Sequence, residues 1–133
     1  MKSFMEFKLD AATDITGYGL IGHLLEMCDG SGTGAEISAK AVPTFDNVRE
    51  YLRHGFCPAG TKRNIDTFKK RVQNRVSDEE FTVMCDAQTS GGLLIAISPE
   101  RAAGLEQRLQ QSGLFYATVG RMTGERGVVS LVA

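Results

Sequence analysis

Apolar positions fall along the chain in short, well-separated runs, and their spacing predicts a series of small elements. After Asp14-Ile15-Thr16-Gly17-Tyr18-Gly19, the residues Leu20, Ile21, Leu24, Leu25 and Cys28 recur at near-helical spacing and make one apolar face. Asp29-Gly30-Ser31-Gly32 stops that helix by supplying cheap turn conformations. Residues 35–38 read as a short strand. Residues 43–54 read as a second helix, with Phe45, Val48, Tyr51 and Leu52 on one side and Gly55 closing it. Residues 57–75 are less decided. They open on the turn-forming Pro58-Ala59-Gly60-Thr61 and continue through Lys62, Arg63, Lys69, Lys70, Arg71 and Arg75, which fits a basic helix and a long ordered loop equally.

Ser77 followed by Glu80 is a capping box and predicts a helix over 78–85. Residues 86–92 form a polar, glycine-ended loop, and the apolar run 93–97 suits a buried strand. Ser98-Pro99 is a helix start, a hydroxyl cap followed by proline at the first helical position. That helix carries Ala102, Leu105 and Leu109 inward and ends at Gly113. Strands follow over 114–119 and 128–132, separated by Thr123-Gly124-Glu125-Arg126-Gly127. The strand at 93–97, the helix at 99–111 and the strand at 114–119 are spaced like a crossover unit. The fold class expected is α/β (α+β), a mixed β-sheet covered by helices.

Composition narrows the function. The chain has 133 residues, the size of one domain, with 42% apolar and 23% charged residues, so it can bury a core. Lys plus Arg total 15 and Asp plus Glu total 16, a balance that gives no field to gather nucleic acid or anionic lipid. No apolar run approaches the roughly 20 residues of a membrane span, and residues 1–8 lack the apolar stretch of a secretory signal. Cys28, Cys57 and Cys85 are odd in number and far apart, and His23 and His54 are not at zinc-ligand spacing. Neither a zinc site nor a disulfide framework is expected; the usage fits a reducing cytosol.

Three segments offer chemistry. Thr13-Asp14-Ile15-Thr16-Gly17-Tyr18-Gly19 puts one carboxylate, two hydroxyls and two glycines directly before an apolar helix. Such a place admits an anion at the helix N-terminus, or Mg²⁺ at the carboxylate; physics alone favours a plain helix cap, because one carboxylate is a poor metal site. Cys85-Asp86-Ala87-Gln88-Thr89-Ser90-Gly91-Gly92 offers hydroxyls and backbone donors to an oxyanion, although spacing alone favours a plain helix-to-strand turn with Gly91 or Gly92 left-handed. Gly60-Thr61-Lys62-Arg63-Asn64 sets cations beside a glycine turn, a setting that can bind phosphate but more often is just a solvated face. The two histidines read as local, His23 flanking the first helix and His54 near the end of the second.

Taken together, these segments resemble the C-terminal domain of selenophosphate synthetase (selenide, water dikinase), in the aminoimidazole-ribonucleotide-synthetase-like superfamily. The resemblance rests on residues 13–27, 60–64 and 85–94, in that order, and spans residues 12–133; residues 1–11 read as a lead-in. Tyr18 stands where the family usually has Phe, and Ala87 where it usually has Pro. The resemblance implies use of ATP, selenide and water to make selenophosphate, AMP and orthophosphate, with Mg²⁺ as cofactor. It assigns Asp14 to the metal; Thr16, Gly17, Thr61, Asn64, Thr89 and Ser90 of the same three segments are the candidate cofactor-binding residues. It implies a cytoplasmic homodimer with no nucleic-acid or membrane partner. The ATP-binding half and the catalytic cysteine would lie in an N-terminal half outside this chain, leaving no catalytic residue here and no activity alone. The alternatives are another enzyme of the superfamily and a noncatalytic interaction module.

Overall fold

A computed structural model describes residues 7–133 of the chain. Residues 1–6 of the expected lead-in therefore lie outside the described residues. Among the described residues the order is β1 (Ala11–Asp14), α1 (Gly19–Ser31), β2 (Gly34–Ser38), α2 (Val48–Arg53), α3 (Ala59–Phe68), β3 (Val72–Asn74), α4 (Asp78–Met84), β4 (Leu93–Ala96), α5 (Pro99–Gln111), β5 (Gly120–Thr123) and β6 (Val129–Val132).

The strands form two sheets. A mixed sheet runs β3-β6-β2-β5, with β6 parallel to both β2 and β3, and β5 antiparallel to β2. A separate antiparallel pair joins β1 to β4, with Asp14 opposite Leu93. Val129 and Leu131 of β6 are fully buried, and Ala35 and Ile37 of β2 nearly so. Alternate positions of the two adjoining strands therefore face one core, as the two-residue period of a strand requires.

Helix α1 fills that core. Leu20, Ile21, Leu24, Leu25, Met27 and Cys28 are all buried, and from Gly19 to Cys28 only Glu26 is exposed, so apolar packing surrounds the helix on nearly every side. It ends as expected, at a left-handed Gly32 whose N–H returns to the Cys28 carbonyl. Phe81, Met84 and Cys85 of α4 and its C-cap close the core from the other side. Burial pushes the Cys85 thiol up to about 12 and raises Cys28 as well. Both are free and stay protonated at neutral pH, so neither serves as a nucleophile.

Several expectations are corrected. The helix read over 43–54 is only Val48–Arg53, because Asn47 adopts φ 65°, a left-handed conformation no helix interior accommodates. Phe45 is 89% exposed, so the predicted apolar side is not buried as a whole. The undecided middle resolves as α3, one 3₁₀ turn and the short strand β3. The capping box is half formed: Ser77 Oγ accepts from Glu80 N at 3.2 Å, while the Glu80 carboxylate turns to Arg49. Strand β4 is not fully buried, since Leu93 is exposed.

The crossover unit is absent. β4 pairs with β1, whereas residues 114–119 are mostly exposed and form no strand. Pairing with β2 starts where the Val119 carbonyl accepts from Ser38 N, and β5 begins at Gly120. Apolar, β-prone residues make a strand only where a partner edge is within reach. Leu105 of α5 is buried, but it stands outside the cluster that packs around α1.

Candidate functional site

The three chemistry-bearing segments converge at the N-terminal end of α1. Ile15 N donates to the Gly92 carbonyl at 2.8 Å, and Gly91 N donates to the Ile15 carbonyl at 3.0 Å, so the β1–β4 ladder continues one residue past Asp14. Gln88 N donates to the Thr16 carbonyl at 3.1 Å. The loop 85–92 is thereby stitched along residues 15–16. A Cβ on Gly91 would stand 2.8 Å from the Ile15 carbonyl oxygen, which explains a glycine at the seam. Gly92 has φ 86°, the left-handed glycine expected of this loop.

Helix α3 brings the middle segment to the same place. Thr61 is fully buried, donates from Oγ1 to Asp86 Oδ1 at 2.6 Å and accepts from Ala87 N at 3.2 Å. Asn64, 6% exposed, donates from Nδ2 to the Gly17 carbonyl at 2.8 Å and to the Cys85 carbonyl at 3.0 Å. Gln88 Nε2 completes the group on Asp86 Oδ2 at 2.9 Å. Thr61 and Asn64 are one helical turn apart, so a single face of α3 locks both loops. The structure thus sets Gly17, Thr61 and Asn64 together, with these polar atoms engaged by the protein itself.

The remaining candidates stand outward. Asp14, Thr16, Thr89 and Ser90 are all exposed. The Asp14 carboxylate has no side-chain partner among the described residues and caps no helix; the N-cap of α1 is Tyr18, without a side-chain cap bond. The plain-cap reading of Asp14 is thus set aside. Thr16 Oγ1 lies 3.0 Å from His23 Nε2, and His23 Nδ1 lies 3.1 Å from Glu26 Oε2. From the sequence His23 stands out only as a residue flanking the first helix. The signal available was its position four residues past Gly19 with Glu26 one turn further on, the same helix face.

Gly19 makes the convergence sterically feasible. Its φ is 68°, and a Cβ there would sit 2.7 Å from the Asp86 carbonyl oxygen and 2.8 Å from the Cys85 carbonyl group. Only glycine satisfies both demands. The result is a ledge of exposed oxygen donors over a buried polar lock, at the start of a long buried helix.

The chain as a whole resembles known proteins. A family model described as AIR synthase related protein, C-terminal domain, matches residues 1–132. The chain belongs to that family. This AIR synthase related domain is 44% identical over 117 residues to a protein of Aeromonas hydrophila named "Selenide, water dikinase", covering 88% of this chain and 34% of the relative. It is 43% identical over 115 residues to the protein of that name from Haemophilus ducreyi, covering 86% of this chain and 33% of the relative. The domain thus spans about a third of the length of the curated relatives it matches. Among solved structures, thiamine-monophosphate kinase from Stenotrophomonas maltophilia superposes with a TM-score of 0.58 at 15% identity, over 96% of this chain and 32% of the other. That likeness is one of fold. Among the described residues no helix is long and apolar enough to cross a membrane.

Proposed function

We propose that this domain is the C-terminal part of an ATP-dependent selenophosphate synthetase, and that it supplies a magnesium-facing carboxylate and a cleft wall to a nucleotide site completed by a second domain. The overall reaction proposed consumes ATP, selenide and water and yields selenophosphate, AMP and orthophosphate. The observation that carries the reading is the match to proteins named "Selenide, water dikinase" at 43–44% identity, over 86–88% of this chain.

The donor set fits a shared metal site and not a self-contained one. Asp14 offers hard carboxylate oxygens without a competing side chain, which suits Mg²⁺. Among the described residues no group of three or more His, Cys, Asp or Glu could hold a metal ion. Asp14 therefore acts as one ligand, with the remaining ones coming from phosphate, water and the second domain. Mg²⁺ bound there would neutralise charge on the nucleotide phosphates. Thr89 and Ser90, exposed at the end of the loop stitched to residues 15–16, present hydroxyls toward the same phosphates. Gly17, Thr61 and Asn64 shape the site by fixing the two loops, and Thr16 completes the ledge beside Asp14. The working enzyme is proposed as a cytoplasmic homodimer.

A chimera tests this directly: the domain replaces the matching third of the Aeromonas hydrophila relative, and AMP release is followed with and without selenide. Selenide-dependent AMP above blank is expected from the chimera and none from the domain alone. A folded chimera without it, or AMP released by the domain alone, overturns the proposal.

A further inference from the structure

Thr16, His23 and Glu26 form a continuous hydroxyl–imidazole–carboxylate chain, from the exposed ledge through a buried ring to an exposed acid. His23 is 8% exposed, and the Tyr18 ring lies beside its imidazole with centroids 5.5 Å apart. The ring therefore has few alternative partners. A carboxylate accepts hydrogen bonds and does not donate them. Glu26 Oε2, 3.1 Å from Nδ1, fixes the proton of a neutral His23 on Nδ1. Nε2 is then an acceptor, and the Thr16 hydroxyl 3.0 Å away must point its hydrogen inward.

We infer that His23 and Glu26 are positioning residues that turn Thr16 into an acceptor toward the surface. The ladder through Ile15 keeps the backbone extended, and Asp14 and Thr16 are exposed on either side of a half-buried Ile15. Successive strand residues alternate faces, so Asp14 and Thr16 share one face, roughly 7 Å apart along the chain. Both present lone pairs there. An all-acceptor edge repels phosphate oxygens and receives a hydrated divalent cation, whose inner-sphere waters are donors. Thr16 thus serves the water shell of the cation at Asp14 and not the phosphate directly. The inference rests on the reading of Asp14 as a metal ligand; the direction of the hydroxyl does not.

Two measurements decide it. Nitrogen-15 spectra of the His23 ring, recorded at a pH where the imidazole carries a single proton, are expected to show that proton on Nδ1; a single proton on Nε2 overturns the inference. Mn²⁺, which takes the same oxygen ligands, is then titrated into the chimera, where the second domain supplies the remaining ligands, while signals of residues 14–16 are followed. Broadening centred on Asp14 is expected, with T16V and E26Q each weakening it about tenfold, the usual loss for a residue behind a metal ligand, and T16S retaining it. T16V alters no charge, which separates hydroxyl direction from simple attraction. Broadening abolished by D14N yet unchanged in T16V and E26Q sinks the positioning role alone. Broadening absent, or indifferent to D14N, sinks the metal reading of Asp14 and the cation role of Thr16 with it.

Discussion

Two layers of polar residues lie within a few residues of each other at the start of α1, and they behave oppositely. In the inner layer, Thr61, Asn64 and Asp86 direct their side-chain hydrogen bonds to one another and to the backbone of two loops. In the outer layer, Asp14, Thr89 and Ser90 are exposed and have no side-chain partner among the described residues. Buried polar groups are costly unless paired, so the inner layer is fully committed to holding shape. Exposed groups carry no such demand and remain available to a ligand. Residues matched to one family motif thus divide into those that build the ledge and those that stand on it.

The harshest way to break the comparison is Gly19→Ala, which disturbs both layers at once. Forcing a side chain into a left-handed position and against two backbone carbonyls should cost about 3 kcal/mol or more, read as a lowered midpoint in urea denaturation. Asn64→Ala attacks the inner layer alone. It strands the Gly17 and Cys85 carbonyls and should cost about 2 kcal/mol, with faster amide exchange at residues 15–18 and 85–88 marking the released loops. A loss confined to global stability, with no local loosening, would show that the lock does not hold the ledge.

An acid titration separates the lock from the surface clamp between α2 and α4. The Arg49 guanidinium donates to both Glu80 oxygens, by Nη2 at 2.9 Å, and holds its carboxyl below the usual range. A depressed carboxyl stabilises the fold above its unfolded pKa, and that stabilisation is lost as pH falls through the lower folded value. Thermal unfolding of the native chain should therefore lose more on acidification below about pH 4.3 than that of Glu80→Gln, and the two should converge in strong acid. The smallest stability effect belongs to the outer layer. Asp14→Asn should change stability by less than about 0.5 kcal/mol while depressing the Mg²⁺-dependent activity of the chimera. A clear loss of stability would return Asp14 to a structural role.

Much of the architecture was legible because it is local. Helix α1, the Gly32 stop, the Ser77 cap and the strands at β2 and β6 follow from spacing and cap chemistry within a few residues. Failures cluster where a distant partner decides. Residues 114–119 are apolar enough for a strand, but β2 offers its free edge only to residues 120–123. Val72–Asn74 reads as nothing in particular and becomes a strand because β6 lies alongside. The left-handed turn at Asn47 likewise cuts short a helix that periodicity alone extended.

The same division holds at the candidate site. The sequence by itself identified the three segments, their residues and their order, because glycines, hydroxyls and a carboxylate before an apolar helix are a local pattern. Only the tertiary structure sorted them, turning Thr61 and Asn64 inward and leaving Asp14 in the open. It alone joined Thr16 to His23 and Glu26. Which polar group is buried depends on what packs over it, and that is set by contacts tens of residues away in the chain.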